Sequence, residues 1–362
     1  MSGRGSGFRG ESLSGPPPRR VGIREVAQRA GVAISTVSKV FSGRGEVIPA
    51  LRARVMEAAA ELGYQPNYVA QSLRRGATDL IGFAASDLTD PFSAAIVAGA
   101  ESVLRPAGYA LLVMSSGRVP DTDAANVRYL NSRRVDSILV VPTREDHAGL
   151  FAALQEFDGP VVAIESALDP RLSVDSVAAD HRRGMIEATG HLLDAGHRRI
   201  AALTGPTSRR GGRERLAGLA EAFRQRGLTD EATPCVTGHD AAEAEQAVLS
   251  LLDVPHPPTA ILAGGMQLLL GTLRAIRRRG LAIGADVAVV GWDEVPLAEF
   301  LAPPIAVIDR DPHGLGAAAA RRALARLGQG GVRDDGPARA DVLPVAFVAR
   351  QSVSPPRDAA GS

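Results

Sequence analysis

The chain has 362 residues, 45% of them apolar and 22% charged, with a formal net charge of +1. That balance excludes extended disorder as the main state and leaves room for two or three domains. No apolar run approaches the ~20 residues of a membrane span, and one cysteine, Cys235, excludes a disulfide framework or a cysteine-based zinc cluster.

The near-neutral total conceals an asymmetry. Residues 1–75 carry twelve basic and five acidic groups, a formal +7, whereas the remainder carries 29 and 35, a formal −6. A basic head on a mildly acidic body points to a polyanion at one end.

In chain order, residues 1–20 are rich in Gly, Ser, Pro and Arg, without periodicity; a disordered extension is expected there. They contain no apolar signal core, so a cytoplasmic protein is expected. Three short helical patterns follow. Ile23, Val26, Ala27 and Ala30 share a face that Gly31 terminates, and Val37 and Val40 continue on a second segment. Leu51, Val55, Ala58, Ala59 and Leu62 form the stripe of a third helix between Pro49 and Gly63.

Residues 23–42, IREVAQRAGVAISTVSKVFS, have the spacing of a helix-turn-helix, with Gly31-Val32-Ala33 as the turn. If Val32 and Val37 pack inward, Ile34, Ser35, Thr36, Ser38 and Lys39 remain on the outer faces. Short polar side chains at a helix start, followed by a cation, suit base edges and phosphates in a major groove. Lys39 is the only lysine in the chain. The next segment, YQPNYVAQSLRRG, places Asn67 to cap a short helix over residues 68–74. Such a helix is too short to be stable alone, and ordering on DNA would let Leu73 enter a minor-groove step.

From residue 80 short apolar runs alternate with helical patterns. LIGFAAS, YALLVM, SILVV and PVVAI read as strands, with helices near 92–107 and 122–133 and a third before PVVAI. A second series begins with a helix near 181–195, then RRIAALTG, a helix near 213–227 and strands near 233–237, 259–263 and 286–291. DPHGLGAAAARRALARLGQ reads as a helix and DVLPVAFVAR as one last strand. Two such series imply two doubly wound lobes with parallel sheets and a cleft at the strands' carboxyl ends.

No nucleophile elbow, HExxH, P-loop or dinucleotide fingerprint occurs, and His191 and His197 do not form a same-face pair. An enzyme, a metal site and a cofactor are therefore not expected.

Residues 21–79 resemble the DNA-binding head and hinge of the LacI/GalR family of bacterial transcription regulators. The resemblance continues through DPFSAAIVAGAE, RRVDSILVVP, AGHRRIAALTGP, RERLAGLAEAF and VAVVGWDEVPLAEFLAPPIAVI, covering residues 21–350. It implies a small all-α helix-turn-helix head and a two-lobed α/β body like a periplasmic binding protein. The implied division is an extension at 1–20, a DNA-binding domain at 21–66, a hinge helix and linker at 67–79, an effector-binding and dimerisation domain at 80–352 and a tail at 353–362.

It also implies a cytoplasmic, nucleoid-associated homodimer on a double-stranded, pseudopalindromic DNA operator, with a small-molecule effector in the interlobe cleft and no membrane partner. No tetramerising heptads follow residue 350, which favours a dimer. Base readout would fall to Ile34, Ser35 and Lys39, backbone contacts to Thr36, Ser38, Arg44 and Asn67, and minor-groove insertion to Leu73. Effector contacts would fall to Ser86, Asp90, Phe92, Glu165, Arg215, Trp292, Asp293 and Arg310.

Three features depart from the family pattern. Ala33 stands where a capping serine is usual, Gly264-Gly265 replace a polar pair, and Arg310 replaces a neutral polar residue. The last two predict a cleft with fewer hydroxyl-binding groups and more positive charge, and hence an anionic or unusual effector or weakened effector control. The alternative is a sugar-type solute-binding protein with no regulatory role; the basic head argues against it.

Overall fold

A computed structural model describes residues 21–42, 47–64, 77–228, 235–236, 240–294, 300–328 and 333–357. The chain divides into two compact units, Met1–Thr78 and Asp79–Ser362.

The first unit contains α1 (Ile23–Ala30), α2 (Ile34–Ser42) and α3 (Pro49–Glu61). Gly31 ends α1 at φ 62°, a left-handed conformation that glycine adopts without a Cβ penalty. Val26, Val37 and Val55 are fully excluded from solvent and pack with Ala27, Ala30, Val40, Ala58 and Ala59. Each buried valine contributes about 1.5–3 kcal/mol, enough for so small a core. Arg54 of α3 donates to the Ala30 carbonyl, which the end of α1 leaves without a helical partner. The short helix expected over residues 68–74 lies outside the described residues.

The second unit has two six-stranded sheets. Lobe 1 is built on β1 (Leu80–Ala85), β2 (Ala110–Ser115), β3 (Ser137–Val140), β4 (Val161–Ile164), β5 (Asp175–Ala179) and β11 (Ala340–Leu343). They lie in the order β11-β5-β4-β3-β1-β2, all parallel. Lobe 2 is built on β6 (Ile200–Leu203), β7 (Cys235–Val236), β8 (Ala260–Ala263), β9 (Ala288–Trp292), β10 (Ala306–Arg310) and β12 (Val345–Val348). Their order is β12-β10-β9-β8-β6-β7, and only the edge strand β12 is antiparallel.

Helices cover both faces of each sheet, so these strands are apolar on both sides and read as continuous runs. In lobe 1, α4 (Pro91–Leu104) and α11 (Pro312–Leu327) cover one face, and α5 (Pro120–Ser132) and α6 (Ala148–Gln155) the other. In lobe 2, α7 (His181–Asp194) and α8 (Arg210–Gln225) face Ile200, Ala202, Leu262 and Trp292; α9 (Ala241–Leu252) and α10 (Met266–Arg278) face the alternate residues Ala201, Leu203 and Ile261.

The lobes are not two successive series. The chain passes to lobe 2 between β5 and α7, returns to lobe 1 between β10 and α11, and crosses again at Pro344. DVLPVAFVAR is therefore two strands, not one. Pro344 has no amide hydrogen to continue a ladder, and its flanks join different sheets, Ala340 opposite Ser176 and Val345 opposite Arg310. Not expected from the sequence are β5 and β10, each only five residues long, and α9 and α10; α10 is amphipathic, with Leu268, Leu269, Thr272, Ala275 and Ile276 on its buried face.

Candidate functional site

Two surfaces carry the chemistry. On α2, Val37 and Val40 are buried, which turns Ile34, Ser35 and Lys39 outward and leaves Thr36 and Ser38 half-exposed. Ile34 is 46% exposed. Val32 packs beside the core, as its spacing predicts. Ala33 has no side-chain acceptor, and the Thr36 and Val37 amides donate to its carbonyl at 2.9 and 3.3 Å. The helix start is therefore short of one acceptor. Arg44, Asn67 and Leu73 lie outside the described residues.

The second surface is a cavity of about 150 Å³ between the lobes. Ser86, Glu165, Thr204, Gly264 and Asp293 directly follow β1, β4, β6, β8 and β9, and Arg310 ends β10, so the strands' carboxyl ends converge on it. Four carboxylates (Asp87, Asp90, Glu165, Asp293) and four guanidiniums (Arg118, Arg209, Arg215, Arg310) line it.

Arg310 sits at the centre. Its guanidinium donates through Nε and Nη2 to both Asp293 oxygens and through Nη1 to Glu165, and it lies 3.4 Å from the centroid of the Phe92 ring. The expectation that Arg310 adds free positive charge is thus corrected: two carboxylates, one from each lobe, absorb it. Asp293 and Glu165 are both held at positive φ, 74° and 59°. Glu165 also accepts the Ala179 amide and His181 Nε2–H, each at 2.6 Å. Burial opposes its charge, but His181 and Arg310 overcome this and keep the carboxyl well below the usual range.

His181 was not anticipated, because β5 just before it was not recognised. Burial pushes its pKa down to about 4 despite the adjacent Glu165, so at neutral pH it is the uncharged Nε2–H tautomer. Its ring stacks on Trp292 with centroids 5.1 Å apart, and its Nδ1 has no partner among the described residues.

Trp292 is 1% exposed and does not reach the cavity wall. It lies behind the wall, under the Arg215 guanidinium at 4.1 Å and beside His181. Arg215 is itself 7% exposed; its Nη1 donates to the Thr204 and Gly264 carbonyls at 3.0 and 2.6 Å. Burial, with Arg310 nearby, pushes its pKa down to about 9. Gly264 makes this placement possible, since a Cβ there would lie 2.5 Å from the Leu203 carbonyl oxygen and 2.9 Å from Arg215 Nη1.

On the lobe 1 side, Asp90 caps α4 by accepting the Phe92 amide at 3.1 Å, and burial raises its pKa in spite of that donor. Ser86 is buried on the cavity wall. Asp87 pairs with Arg118 at 2.9 Å. Outside the cavity centre, Glu145 of lobe 1 accepts the Arg210 amide and an Arg213 guanidinium hydrogen of lobe 2, both at 2.6 Å. The structure thus brings seven of the eight expected effector residues to one cavity and puts Trp292 behind it. His181 and Glu145 were missed because their partners lie on other elements, and Arg209 because no local motif marks it as part of the wall.

Two family descriptions match the chain: "Bacterial regulatory proteins, lacI family" over residues 22–67, and "Periplasmic binding protein-like domain" over residues 189–353. The HTH-type transcriptional regulator DegA of Bacillus subtilis is 31% identical over 339 residues, 92% of this chain and 98% of DegA. The HTH-type transcriptional repressor CytR of Escherichia coli is 28% identical over 295 residues, 81% and 86% of the two chains. Among solved structures, the lac repressor dimer bound to operator and the anti-inducer ONPF superposes with TM-score 0.79 at 30% identity, over 93% of this chain and 100% of that one. The transcriptional regulator CelR in complex with cellobiose does so with TM-score 0.68 at 31% identity, over 92% and 100%.

Proposed function

The chain belongs to the LacI family of bacterial regulatory proteins, and from that premise we propose that it is a sequence-specific transcriptional regulator whose hold on DNA is set by a small molecule. It binds a double-stranded operator as a homodimer, acts as a repressor, and takes its effector between the lobes of the body. The observation that carries the reading is α2: a helix anchored by Val37 and Val40 that offers Ile34, Ser35 and Lys39 to a partner, in the same chain as a two-lobed cleft. Ser35 and Lys39 can reach base edges, Thr36 and Ser38 can reach phosphates, and Ile34 can meet a thymine methyl group. Arg44, Asn67 and Leu73 are assigned to the backbone and the minor groove on the family resemblance.

The effector contacts are assigned to Ser86, Asp90, Phe92, Glu165, Arg215, Asp293 and Arg310, with Trp292 supporting Arg215 from behind. Because the chain crosses between lobes three times beside this cavity, a ligand touching both lobes favours the closed arrangement, and a shift in that population changes the dimer presented to DNA. The reading assigns no reaction to the protein and places it in the cytoplasm with the nucleoid. No helix among the described residues is long and apolar enough to cross a membrane.

In-vitro selection of DNA by the full chain tests the proposal. A pseudopalindromic motif bound by two copies is expected, with loss of selectivity in Ser35→Ala/Lys39→Ala. Recovery of no motif, or of one that the double variant binds unchanged, would refute it.

A further inference from the structure

The uncommitted positive charges of the cleft lie on one side of it. Glu165 and Asp293 are both engaged by Arg310, and Asp87 by Arg118. Arg215 and Arg209 have no such carboxylate. Arg215 is 7% exposed, and its Nε and Nη2 make no hydrogen bond among the described residues; Nε is wholly buried. Arg209, the N-cap residue of α8, makes neither an ion pair nor a side-chain hydrogen bond among the described residues, and it lines the same wall.

Two helix starts open between these guanidiniums. In α8 the Arg210 amide is taken by Glu145, which leaves the Gly211 and Gly212 amides without a partner among the described residues. In α10 the N-cap is Gly265, at φ 151° and with no side-chain cap, and the Met266 and Gln267 amides border the cavity. By contrast α4, α7, α9 and α11 are each capped by an aspartate. Backbone amides, helix dipoles and two unpaired guanidiniums around a recess form a receptor for negative charge. Gly265 leaves the recess empty, since a Cβ there would meet nothing within 4 Å. Facing it is Asp90, which among the described residues is the one carboxylate on the wall without an ion pair, suited to accept from hydroxyl groups.

We propose that the lobe 2 wall is an oxyanion cradle formed by Arg209, Arg215 and the starts of α8 and α10, so that the effector is a hydroxylated carboxylate or phosphate and not a neutral sugar. This rests on the effector-binding reading above and narrows its ligand class. The charge comes from Arg209 and Arg215, not from Arg310.

The test is calorimetric titration of the full chain with inorganic phosphate, glucose 6-phosphate, glucuronate and glucose. Inorganic phosphate and at least one anionic hexose are expected to bind, glucose at least about tenfold more weakly. Arg209→Gln should weaken the oxyanions by about tenfold or more, as should Gln267→Glu, which supplies the start of α10 with its own carboxylate. Glucose binding as tightly as the anions, no oxyanion binding at all, or binding unchanged in both variants overturns the proposal. Melting curves without ligand establish that the variants fold. Selected-DNA binding, read by fluorescence anisotropy on the same samples, separates the two failures. Loss of DNA selectivity refutes the regulator and leaves the titrations standing; absent oxyanion binding with DNA selectivity intact refutes only the cradle.

Discussion

At Arg310 one guanidinium holds a carboxylate from each lobe, Glu165 on lobe 1 and Asp293 on lobe 2, with all three groups largely removed from water. Deleting the cation leaves two buried charges uncompensated, a situation that costs about 3–5 kcal/mol. Arg310→Met should therefore lower the unfolding free energy obtained from urea titration by that amount, and a loss below about 1 kcal/mol would show the pair to be dispensable. His181 makes a second prediction. Its pKa in the folded chain is about 4, below the ordinary 6.5, and that of His197 is lowered too. The unfolded chain therefore takes up protons first as the pH falls. This contribution is whole above pH 6.5 and is lost between 6.5 and about 4. Melting temperature should decline across that window, less steeply in His181→Gln. A decline that is unchanged in the variant would assign the slope to other groups. Of these residues, Glu165, Asp293 and Arg310 could be named from the sequence by resemblance; their mutual neutralisation could not, because it depends on distances between separate elements.

Between elements, the closest approach in the body is that of α4 and α11. A Cβ on Gly99 would lie 2.0 Å from the His313 carbonyl oxygen, and one on Gly316 1.9 Å from that of Ile96. The two backbones meet where neither residue has a side chain. Gly316→Ala should force the helices apart and cost about 1–3 kcal/mol, in contrast to the gain an alanine brings to an ordinary helix interior. The start of α2 predicts the opposite sign. Ala33→Ser supplies the side-chain cap that the start of α2 lacks and should stabilise the first unit by about 1 kcal/mol, visible in the melting of residues 21–64 by hydrogen exchange. Helices with strong caps or prolines at their first turn, such as α3, α4 and α11, were legible to within a few residues. The two-strand nature of DVLPVAFVAR was not, because Pro344 marks a break without saying where each half goes.

For the molecule as a whole, one of the twelve basic groups of residues 1–75, Lys39, lies on the exposed face of α2, and the −6 of the remainder does not translate into an acidic cleft. If Lys39 meets a phosphate or a base, affinity for the selected DNA should fall steeply with salt. Lys39→Ala should reduce the slope of log K against log[salt] by about one; an unchanged slope would remove Lys39 from the interface. Leu73→Ala, outside the described residues, should weaken selected DNA much more than random DNA, and equal losses would remove it from specificity. The amino-acid order alone determined the helix-turn-helix, the alternation of strands and helices and the identity of most cleft residues. Those features are written in local spacing and in motifs at recognisable intervals. Only the tertiary structure decided which charges in the cleft remain free. Arg310 finds Glu165 across 145 positions and one passage between lobes. A buried charge is spent or available according to the neighbour the fold delivers, a long-range property that no local pattern encodes.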